Sequence, residues 1–311
     1  MNLHEELSQY VSGRSTVVTI GVFDGVHLGH AHLLKGVKEE ARRLKAAPCV
    51  VTFVNHPRSV LQPGAQVKYI TTLERRLELL KELGIKAVVP LIFDESLSQL
   101  SARDFVYALG GHLHMKAMII GPNFALGHKR EGNVKVLAEL GGEMGFSVKV
   151  MEPLSVDGQM ISSTVIREAI SKGDVRKAGK MLGRYFSLSG EVVRGDGRGK
   201  GMGFPTANLK IADELMLPKD GIYAAWAYVD GKRLMAATSV GVRPTFGENA
   251  RTVEAYIMNF QGELYGKQVT LDFCQRLRDE LRFDTVEALQ AQIELDVQQT
   301  RKIFASLETA P

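Results

Sequence analysis

The sequence predicts two domains: an N-terminal α/β domain built on a doubly wound parallel sheet, and a C-terminal small antiparallel β-barrel with a C-terminal helix. Three observations lead to this prediction. In the first half of the chain, short apolar runs rich in Val and Ile alternate with amphipathic segments. After Gly183, short strand-like runs follow one another, separated by loops that contain Gly and Pro. A length of 311 residues also suits two domains at the usual ~150 residues each.

Five apolar runs in the first half predict the strands of the parallel sheet, because strands covered by helices on both faces are almost continuously apolar. They cover residues 16–20, 49–53, 87–93, 117–120 and 147–151. Amphipathic segments between them predict helices, two of which begin at Thr71 with Glu74 and at Ser101 with Asp104, in a capping-box pattern. Ligands of such sheets bind at the carboxyl ends of strands, so the residues after each strand are functional candidates.

The second half changes to a β pattern after a helical segment over residues 163–182. Further strands are predicted at 187–193, 222–229, 234–240, 253–259 and 268–273, and a long last helix opens at Asp284, with Glu287 at the capping-box spacing. Short strands with turns between them are typical of a small barrel or sandwich. The predicted domains are therefore residues 1–183, including the helical connector 163–182, and residues 184–311.

The composition argues against several protein classes. An apolar fraction of 45% and a charged fraction of 24% are typical of a globular chain rather than a disordered or fibrous one. No apolar run approaches the roughly 18 residues of a spanning helix, and the first ten residues lack the apolar core of a signal peptide. The net charge of +4 is too weak to indicate nucleic-acid binding. We expect a cytoplasmic monomer or weak homo-oligomer, with no membrane or nucleic-acid partner.

Both cysteines, Cys49 and Cys274, lie in strand-like runs far apart in the sequence. Cysteine is among the residues most often found buried, and disulfides are rare in the cytoplasm. The sequence therefore predicts two buried, reduced thiols.

The segment after the first strand contains the first candidate site. Gly21 and Gly25 allow a tight turn and a close approach of the backbone to a ligand. The helix predicted to begin near Gly29 presents unpaired N–H groups and the positive end of its dipole, which suit a phosphate. His27 and His30 can point the same way from this helix start and donate hydrogen bonds during phosphoryl or nucleotidyl transfer. A metal site or ordinary surface histidines remain alternatives, although no Cys or carboxylate stands at ligand spacing.

Two more segments carry groups that suit phosphates. Ser163 and Thr164 lie at a predicted helix N-terminus with Arg167 one turn on, which would make a triphosphate cradle or a plain capping site. Residues 195–208 contain five glycines, whose successive N–H groups can wrap an anion, and then Thr206 and Asn208. The side-chain oxygens of these two suit Mg²⁺ only alongside substrate phosphates. A flexible loop with a turn would have the same composition.

Together these motifs resemble the bifunctional riboflavin kinase/FMN adenylyltransferases, the prokaryotic FAD synthetases. The first segment matches Gly21-x-Phe23-Asp24-Gly25-x-His27-x-Gly29-His30, the His-x-Gly-His signature that other nucleotidyltransferases share. The narrower family is indicated by Thr52-Phe53, His56-Pro57-Arg58, Gly121-Pro122-Asn123-Phe124 with Gly127, Arg130 and Gly132, and Ile161-Ser162-Ser163-Thr164-x-Ile166-Arg167. The kinase half is indicated by Gly201-x-Gly203-Phe204-Pro205-Thr206-Ala207-Asn208, Gly221-x-Tyr223, Gly241-x-Arg243-Pro244-Thr245-Phe246, Glu254, Leu264-Tyr265-Gly266 and Leu277-Arg278-x-Glu280-x-x-Phe283. The resemblance thus spans nearly the whole chain.

For the N-terminal domain, the resemblance implies a Rossmann-like nucleotidyltransferase that joins FMN to the AMP part of ATP, giving FAD and pyrophosphate. His27, His30 and Arg167 would be catalytic residues. The implied contacts with ATP come from Gly21, Phe23, Asp24, Gly29, Ser163 and Thr164, and those with the flavin come from His56, Asn123 and Phe124. A nucleotidyltransferase for another acceptor, such as NMN, would leave the Pro-Thr-Ala-Asn segment of the C-terminal half unexplained.

For the C-terminal domain, the resemblance implies transfer of the γ-phosphate of ATP to riboflavin, with Glu254 as the general base. The implied phosphate contacts come from Gly199, Gly201, Gly203, Pro205, Thr206 and Asn208, the last two also as Mg²⁺ ligands, and Arg278 would contact the flavin. Riboflavin, FMN and ATP would be the substrates, with FMN as intermediate and FAD as product. The sequence departs from the family pattern at Asn55, Asn123, Leu126 and Ser239, which concerns flavin-side packing and loop shape more than the reaction type.

Overall fold

The computed structural model describes residues 3–10, 13–62, 64–195, 198–242 and 251–308, so the predicted motif residues Arg243, Pro244, Thr245 and Phe246 lie outside the described residues. The chain divides into two compact units, Met1–Ser162 and Ser163–Pro311. Among the described residues, no helix has the length and apolar character that crossing a bilayer requires.

The first unit is a five-stranded parallel sheet with helices on its faces. Its elements are α1 (Leu3–Ser8), β1 (Thr16–Ile20), α2 (Leu28–Arg43), β2 (Ala47–Phe53), α3 (Pro57–Leu61), α4 (Leu73–Glu82), β3 (Ala87–Leu91), α5 (Glu95–Gln99), α6 (Ala102–Leu113), β4 (Met115–Ile120), β5 (Ala125–Leu126), a 3₁₀ turn (His128–Arg130), β6 (Gly132–Asn133), α7 (Val134–Met144), β7 (Ser147–Val150), β8 (Ser155–Val156) and β9 (Gln159–Met160). The strand order β3-β2-β1-β4-β7 confirms the predicted doubly wound sheet.

The central strand β1 is buried along its whole length, as its apolar sequence predicts. Val18 and Ile20 pack into the core formed with α6 and α7, while Val17 packs with Val37 of α2 on the other face. The chain passes from β1 to β2 on one side of the sheet, and β4 lies on the other side. The switch in strand order therefore falls beside β1, and the loops after β1, β2 and β4 lie at the same edge.

Some helices and strands begin and end at the predicted residues, and others differ by one or two residues. Ser101 caps α6, as predicted. The cap of α4 is Thr72 rather than Thr71, because the Thr71 hydroxyl accepts a hydrogen bond from the Gly25 N–H instead. Strand β3 ends at Leu91, two residues early, because the N–H of Ile92 donates to the Glu6 carboxylate rather than to the sheet.

The second unit is a closed six-stranded antiparallel barrel with helices. Its elements are α8 (Ser163–Ser171), α9 (Val175–Leu182), β10 (Phe186–Val193), α10 (Arg198–Gly201), β11 (Thr206–Ile211), β12 (Gly221–Val229), β13 (Lys232–Val242), β14 (Arg251–Ile257), β15 (Gln268–Arg278) and α11 (Val286–Glu308). The strand order is β10-β11-β14-β13-β12-β15, and every neighbouring pair is antiparallel. The predicted barrel and last helix are confirmed.

Three details of the second unit differ from prediction. The single helix predicted over residues 163–182 is broken at Gly173, where φ is +79° and the side chain of Arg276 leaves no room for a Cβ. Strand β11 was not predicted, because its first residues read as part of a glycine-rich loop. The last helix is capped by Thr285 rather than Asp284, since the Thr285 hydroxyl accepts from the Ala288 N–H at 3.2 Å.

The compact second unit begins at Ser163, ahead of the predicted domain boundary at Gly183, because α8 packs on α9 and α9 contacts β10 and β15 of the barrel. The functional boundary stays a prediction. Cys49 and Cys274 are both buried and free, one in each unit, and burial raises the pKa of each thiol to about 12. This agrees with the predicted reduced thiols.

Candidate active sites

The histidine loop, residues 21–30, connects β1 to the first turn of α2. Phe23, Gly25 and Val26 adopt positive φ angles of 54°, 79° and 36°. A positive φ is rare for a β-branched residue, and each strained residue costs on the order of 1–3 kcal/mol. Such strain persists only where surrounding contacts fix the backbone, and it concentrates at functional sites. The loop is therefore held in one defined shape.

Asp24 supplies much of that constraint. Its carboxylate is 2% exposed and accepts hydrogen bonds from the N–H groups of Ile70, at 3.0 and 3.1 Å, and Thr71, at 3.2 Å. The Thr71 hydroxyl in turn accepts from the Gly25 N–H at 3.2 Å. These hydrogen bonds show that Asp24 ties the histidine loop to the segment before α4. Its predicted contact with ATP stays a prediction.

His27 and His30 cap α2 through each other's backbone. Nδ1 of His27 accepts from the His30 N–H at 3.2 Å, and Nδ1 of His30 accepts from the His27 N–H at 3.3 Å. The two rings are stacked, with centroids 3.6 Å apart and an angle of 14° between their planes. A nitrogen that accepts a hydrogen bond carries no proton, so the neutral rings carry theirs on Nε2. Both histidines are thereby fixed as Nε2–H donors, which suits oxygens that gain negative charge.

Neighbouring residues fit around this pair. A Cβ placed on Gly29 would lie 3.1 Å from Nδ1 and Cε1 of His27 and 3.5 Å from the carbonyl oxygen of Ile161. The Phe23 ring is 2% exposed and contacts the His30 ring, with centroids 4.9 Å apart. It also packs over Gly21, whose Cβ would lie 3.2 Å from it. The histidine loop therefore contains the predicted residues Phe23, Gly21 and Gly29. These contacts pack the three residues against neighbouring parts of the protein, and their contacts with ATP stay a prediction.

Sequence reasoning missed Arg76, a fully buried residue of α4. Its Nη1 donates to the carbonyl oxygens of Val22 and Phe53, both at 2.8 Å, and so joins the loop after β1 to the end of β2. Burial lowers the pKa of this guanidinium, while the Asp24 carboxylate acts in the opposite direction. Its Nε is buried without a hydrogen-bond partner in the described part of the chain. No sequence signal separated Arg76 from the adjacent, exposed Arg75.

The predicted flavin-side residues follow β2 and β4. His56 is half-buried and caps α3, accepting from the Arg58 N–H at 3.1 Å. Asn123 is exposed, with its carbonyl oxygen accepting from Arg130, and Phe124 packs against the core. Asn55, a departure from the family pattern, makes two hydrogen bonds with the backbone of Phe93, at 2.7 and 2.9 Å. Its amide thus joins the loops that follow β2 and β3.

The remaining residues predicted for adenylyl transfer begin the second unit. Ser163 and Thr164 are the first two residues of α8, which confirms the predicted helix start. Ser163 is half-buried, Thr164 is exposed, and Arg167 follows one turn on, half-buried. Hydroxyls and a guanidinium at a helix start are the groups that bind phosphate oxygens.

In the barrel, a cavity of about 300 Å³ brings together several predicted residues, and we call it the barrel cavity. Gly199, Thr206, Glu254 and Arg278 all line it. The lining also includes Phe204, Glu280 and Phe283 of the kinase motifs and Ser239, which departs from the family pattern, none of them predicted as site residues. Sequence analysis missed three further lining residues altogether: Tyr256, Ile293 and Asp296. Gly201, Gly203 and Pro205 are exposed and do not line it. A cavity with apolar and aromatic walls and a few polar groups is typical of small-molecule sites.

The register of the barrel strands places the polar groups of the cavity. Asn208 of β11 lies opposite Glu254 of β14 in the ladder. Thr206, two residues away on the same strand, has its side chain on the same face as Asn208. Its hydroxyl donates to Oε2 of Glu254 at 3.3 Å. Asn208 does not line the cavity: it is buried against the backbone of Gly195, where a Cβ would overlap its amide. The Glu254 carboxylate, the Thr206 hydroxyl and the Asn208 side-chain amide are therefore close together on one face of the barrel wall.

Other residues of the cavity lining are charged too. Nε and Nη2 of Arg278 donate to the two carboxylate oxygens of Asp296 on α11, at 2.9 and 2.7 Å. The Glu280 carboxylate packs on the backbone of Gly241, where no Cβ would fit. Burial raises the pKa of Glu280, and the nearby Asp220 adds to the effect. Asp296 was missed because an acidic residue on an amphipathic helix ordinarily faces solvent.

Comparison with known proteins gives matches to both units. The family model described as FAD synthetase matches residues 11–165, and the one described as riboflavin kinase matches residues 182–304. A bifunctional riboflavin kinase/FMN adenylyltransferase of Listeria monocytogenes is 37% identical over 294 residues, which are 94% of this chain and 93% of that protein. The protein of the same name from Escherichia coli K12 is 33% identical over 296 residues, 94% of each chain.

One solved structure matches along nearly the whole chain. It is a crystal structure described as a macrolide-efflux protein from Streptococcus pneumoniae, with a TM-score of 0.88 and 30% sequence identity. The match covers 94% of this chain and 96% of that one. Both units therefore have counterparts in a single solved chain.

Proposed function

This chain belongs to the family of bifunctional riboflavin kinase/FMN adenylyltransferases, and we propose that the barrel cavity and the histidine loop are the sites of its two reactions. The enzyme phosphorylates riboflavin to FMN and then adenylylates FMN to FAD. The contact between Thr206 and Glu254 inside the barrel cavity is the observation that carries the assignment of the kinase site. We further propose that residues 1–183 form the adenylyltransferase domain and residues 184–311 the kinase domain.

In the kinase reaction, Glu254 accepts the proton of the riboflavin 5′-hydroxyl as its oxygen attacks the γ-phosphorus of ATP. The bond from that phosphorus to the β–γ bridging oxygen breaks, and ADP leaves. Mg²⁺ supplies charge neutralisation on the phosphates, and Thr206 and Asn208 offer neutral oxygens that suit it together with phosphate ligands. The side chains of both residues lie on one face of β11 beside the carboxylate, which supports this ligand set.

In the adenylyl transfer, a phosphate oxygen of FMN attacks the α-phosphorus of ATP, the α–β phosphoanhydride bond breaks, and pyrophosphate leaves. The FMN phosphate is already ionised at neutral pH, so no strong base is needed. The Nε2–H groups of His27 and His30 donate to oxygens on the splitting triphosphate, and Arg167 adds its charge there. The hydrogen bonds that fix both rings as Nε2–H donors support these roles of the histidines. Arg167 rests on the family resemblance and on its place one turn into α8.

The remaining contacts follow the family resemblance. We propose that Gly21, Phe23, Asp24, Gly29, Ser163 and Thr164 border the ATP of the adenylyl transfer, while His56, Asn123 and Phe124 border its flavin. In the barrel, Gly199, Gly201, Gly203 and Pro205 border the phosphates and Arg278 the riboflavin. The cytoplasmic location and the state of monomer or weak homo-oligomer remain predictions.

The test is the product profile of the purified full chain with riboflavin, ATP and Mg²⁺, followed by chromatography over time. The wild-type protein is expected to form FMN first and FAD second. His30→Ala is expected to slow FAD formation by roughly a hundredfold or more, because a donor to the developing charge is lost. FMN formation by the same variant is the internal control and stays at the wild-type rate. A wild-type protein that forms neither flavin product, or a His30→Ala variant that makes FAD at the wild-type rate, would contradict the proposal.

A further inference from the structure

Arg278 and Asp296 connect the end of β15 to the last helix inside the barrel cavity. Nε of Arg278 donates to Oδ1 of Asp296 at 2.9 Å and Nη2 donates to Oδ2 at 2.7 Å, so the pair is bidentate. Asp296 is 3% exposed, and both residues line the cavity. Two parallel hydrogen bonds fix the plane of a guanidinium as well as its position. The carboxylate thus sets where Arg278 points.

Asp296 is itself held by its own helix. Its Oδ1 also accepts from the side-chain amide of Gln292, one turn earlier on α11, at 3.0 Å. The carboxylate therefore has three hydrogen-bond donors, two of them on Arg278. A buried carboxylate with several partners in fixed geometry has little freedom to follow a side chain that moves. The position of α11 therefore determines where the Arg278 guanidinium lies.

Arg278 keeps donors for a ligand after these contacts. A guanidinium has five N–H bonds. Within the described part of the chain, Asp296 takes two of them and the carbonyl oxygen of Asp279 takes one on Nη1, at 2.9 Å. One N–H on Nη1 and one on Nη2 remain, and the residue faces a cavity whose walls include aromatic and aliphatic side chains. Such donors suit acceptor atoms on a planar, largely apolar heterocycle.

We propose that Asp296 is a positioning residue for riboflavin: by holding the Arg278 guanidinium in one plane, it sets the affinity of the kinase for its flavin substrate. The inference rests on the proposed function, since it takes the barrel cavity as the kinase site. A purely structural role, in which the pair only anchors α11, is the competing explanation. A positioning role predicts that loss of the Asp296 carboxylate weakens riboflavin binding but not ATP binding. A purely structural role predicts that both are weakened.

The experiment uses the full chain and four variants, with riboflavin affinity measured by flavin fluorescence and kinase steady-state kinetics for both substrates. Asp296→Asn keeps the shape of the side chain and removes its charge. We expect it to weaken riboflavin binding by about 10- to 100-fold and leave the KM for ATP within about twofold. Asp296→Glu, which restores the charge, is expected to recover part of the affinity. FAD formation from supplied FMN is expected to stay at the wild-type rate in all variants.

Thr300→Val is the matched control, because the Thr300 hydroxyl donates to the backbone carbonyl oxygen of Asp296 from the same buried helix face, and Thr300 does not line the barrel cavity. It is expected to lower the unfolding temperature without changing riboflavin affinity. Gln292→Met, which removes only the third donor to the carboxylate, is expected to weaken riboflavin binding by a few-fold. That variant keeps the test informative if Asp296→Asn does not fold.

The results that overturn the inference are specific. If Asp296→Asn lost affinity for riboflavin and for ATP equally, the Arg278–Asp296 pair would serve only to anchor α11. The same would follow if Thr300→Val lowered riboflavin affinity as much as Asp296→Asn does. Wild-type riboflavin affinity in Asp296→Asn, while the wild-type protein makes FMN, would overturn the inference and leave the proposed function standing. A wild-type protein that makes no FMN would overturn both.

Discussion

The two candidate sites use their motif residues in different ways. In the histidine loop, the motif side chains hold the loop itself: Asp24 accepts from Ile70 and Thr71 outside it, and His27 and His30 accept from each other's backbone within it. In the barrel cavity, the strand ladder already fixes the backbone. The side chains of Thr206 and Glu254, and of Arg278 on another strand, line an open space.

The difference follows from the scaffolds. A loop after a parallel strand has no neighbour to pair with, so its shape depends on its own side chains, and three of its residues adopt positive φ angles. A barrel strand obtains its shape from backbone hydrogen bonds on both sides. We infer that substitutions in the histidine loop cost stability together with activity, whereas substitutions of Thr206 and Glu254 on the wall of the barrel cavity cost activity alone.

The largest expected effect lies in the barrel cavity. Glu254→Gln keeps the size of the side chain but removes the proton acceptor, and general bases typically contribute 10²–10⁴-fold to a rate. We expect FMN formation to fall by about a thousandfold, with an unfolding temperature within about 2 °C of the wild-type value, because exposed or half-buried groups outside a network contribute little to stability. Initial rates with riboflavin and thermal unfolding check this.

The same variant supplied with FMN provides its control. Conversion of FMN to FAD is expected to continue at the wild-type rate, since the histidine loop is untouched. A large fall in the unfolding temperature, or equal loss of both activities, would show that Glu254 supports the structure and would break the contrast between the two sites.

A smaller effect is expected for Asp24, measured as stability. Asp24→Ala leaves the buried N–H groups of Ile70 and Thr71 without their acceptor, and each unsatisfied buried group costs about 1–3 kcal/mol. We expect the free energy of unfolding of the first unit to fall by about 2–4 kcal/mol, with Asp24→Asn, which keeps one acceptor oxygen, losing about half as much. Denaturant unfolding followed by circular dichroism measures both. Two variants as stable as the wild type would show that Asp24 is not a structural tie.

The sequence predicts the fold class and most elements, because the evidence for them is local. Continuous apolar runs such as Thr16–Ile20 indicate buried strands, and Ser101 with Asp104 indicates a helix start. The missed strand β11 also had a signal, since Thr206, Asn208 and Lys210 alternate with apolar residues. That alternation was hidden by the glycines before it.

The sequence could not predict the contacts that depend on tertiary packing. Arg76 and Asp296 stand on helices where charged residues ordinarily face water, and nothing in the sequence separates them from exposed neighbours such as Arg75. Their burial follows from where α4 and α11 pack: against the loop after β1 and against the barrel cavity. Likewise, the pairing of Asn208 with Glu254 needs the barrel register, because the two residues are far apart in the chain.

The smallest expected effect separates the two roles of His27. His27→Ala removes the side-chain acceptor that caps α2, and losing an N-cap typically costs about 1 kcal/mol. His27→Ser keeps an acceptor for the His30 N–H, so its free energy of unfolding is expected to lie within about 0.5 kcal/mol of the wild type. Both variants lack the Nε2–H donor, and both are therefore expected to make FAD from FMN roughly a hundredfold more slowly. If His27→Ser instead restored FAD formation along with stability, the role of His27 would be that of a helix cap, and the histidine loop would act on the triphosphate through His30 and its backbone alone.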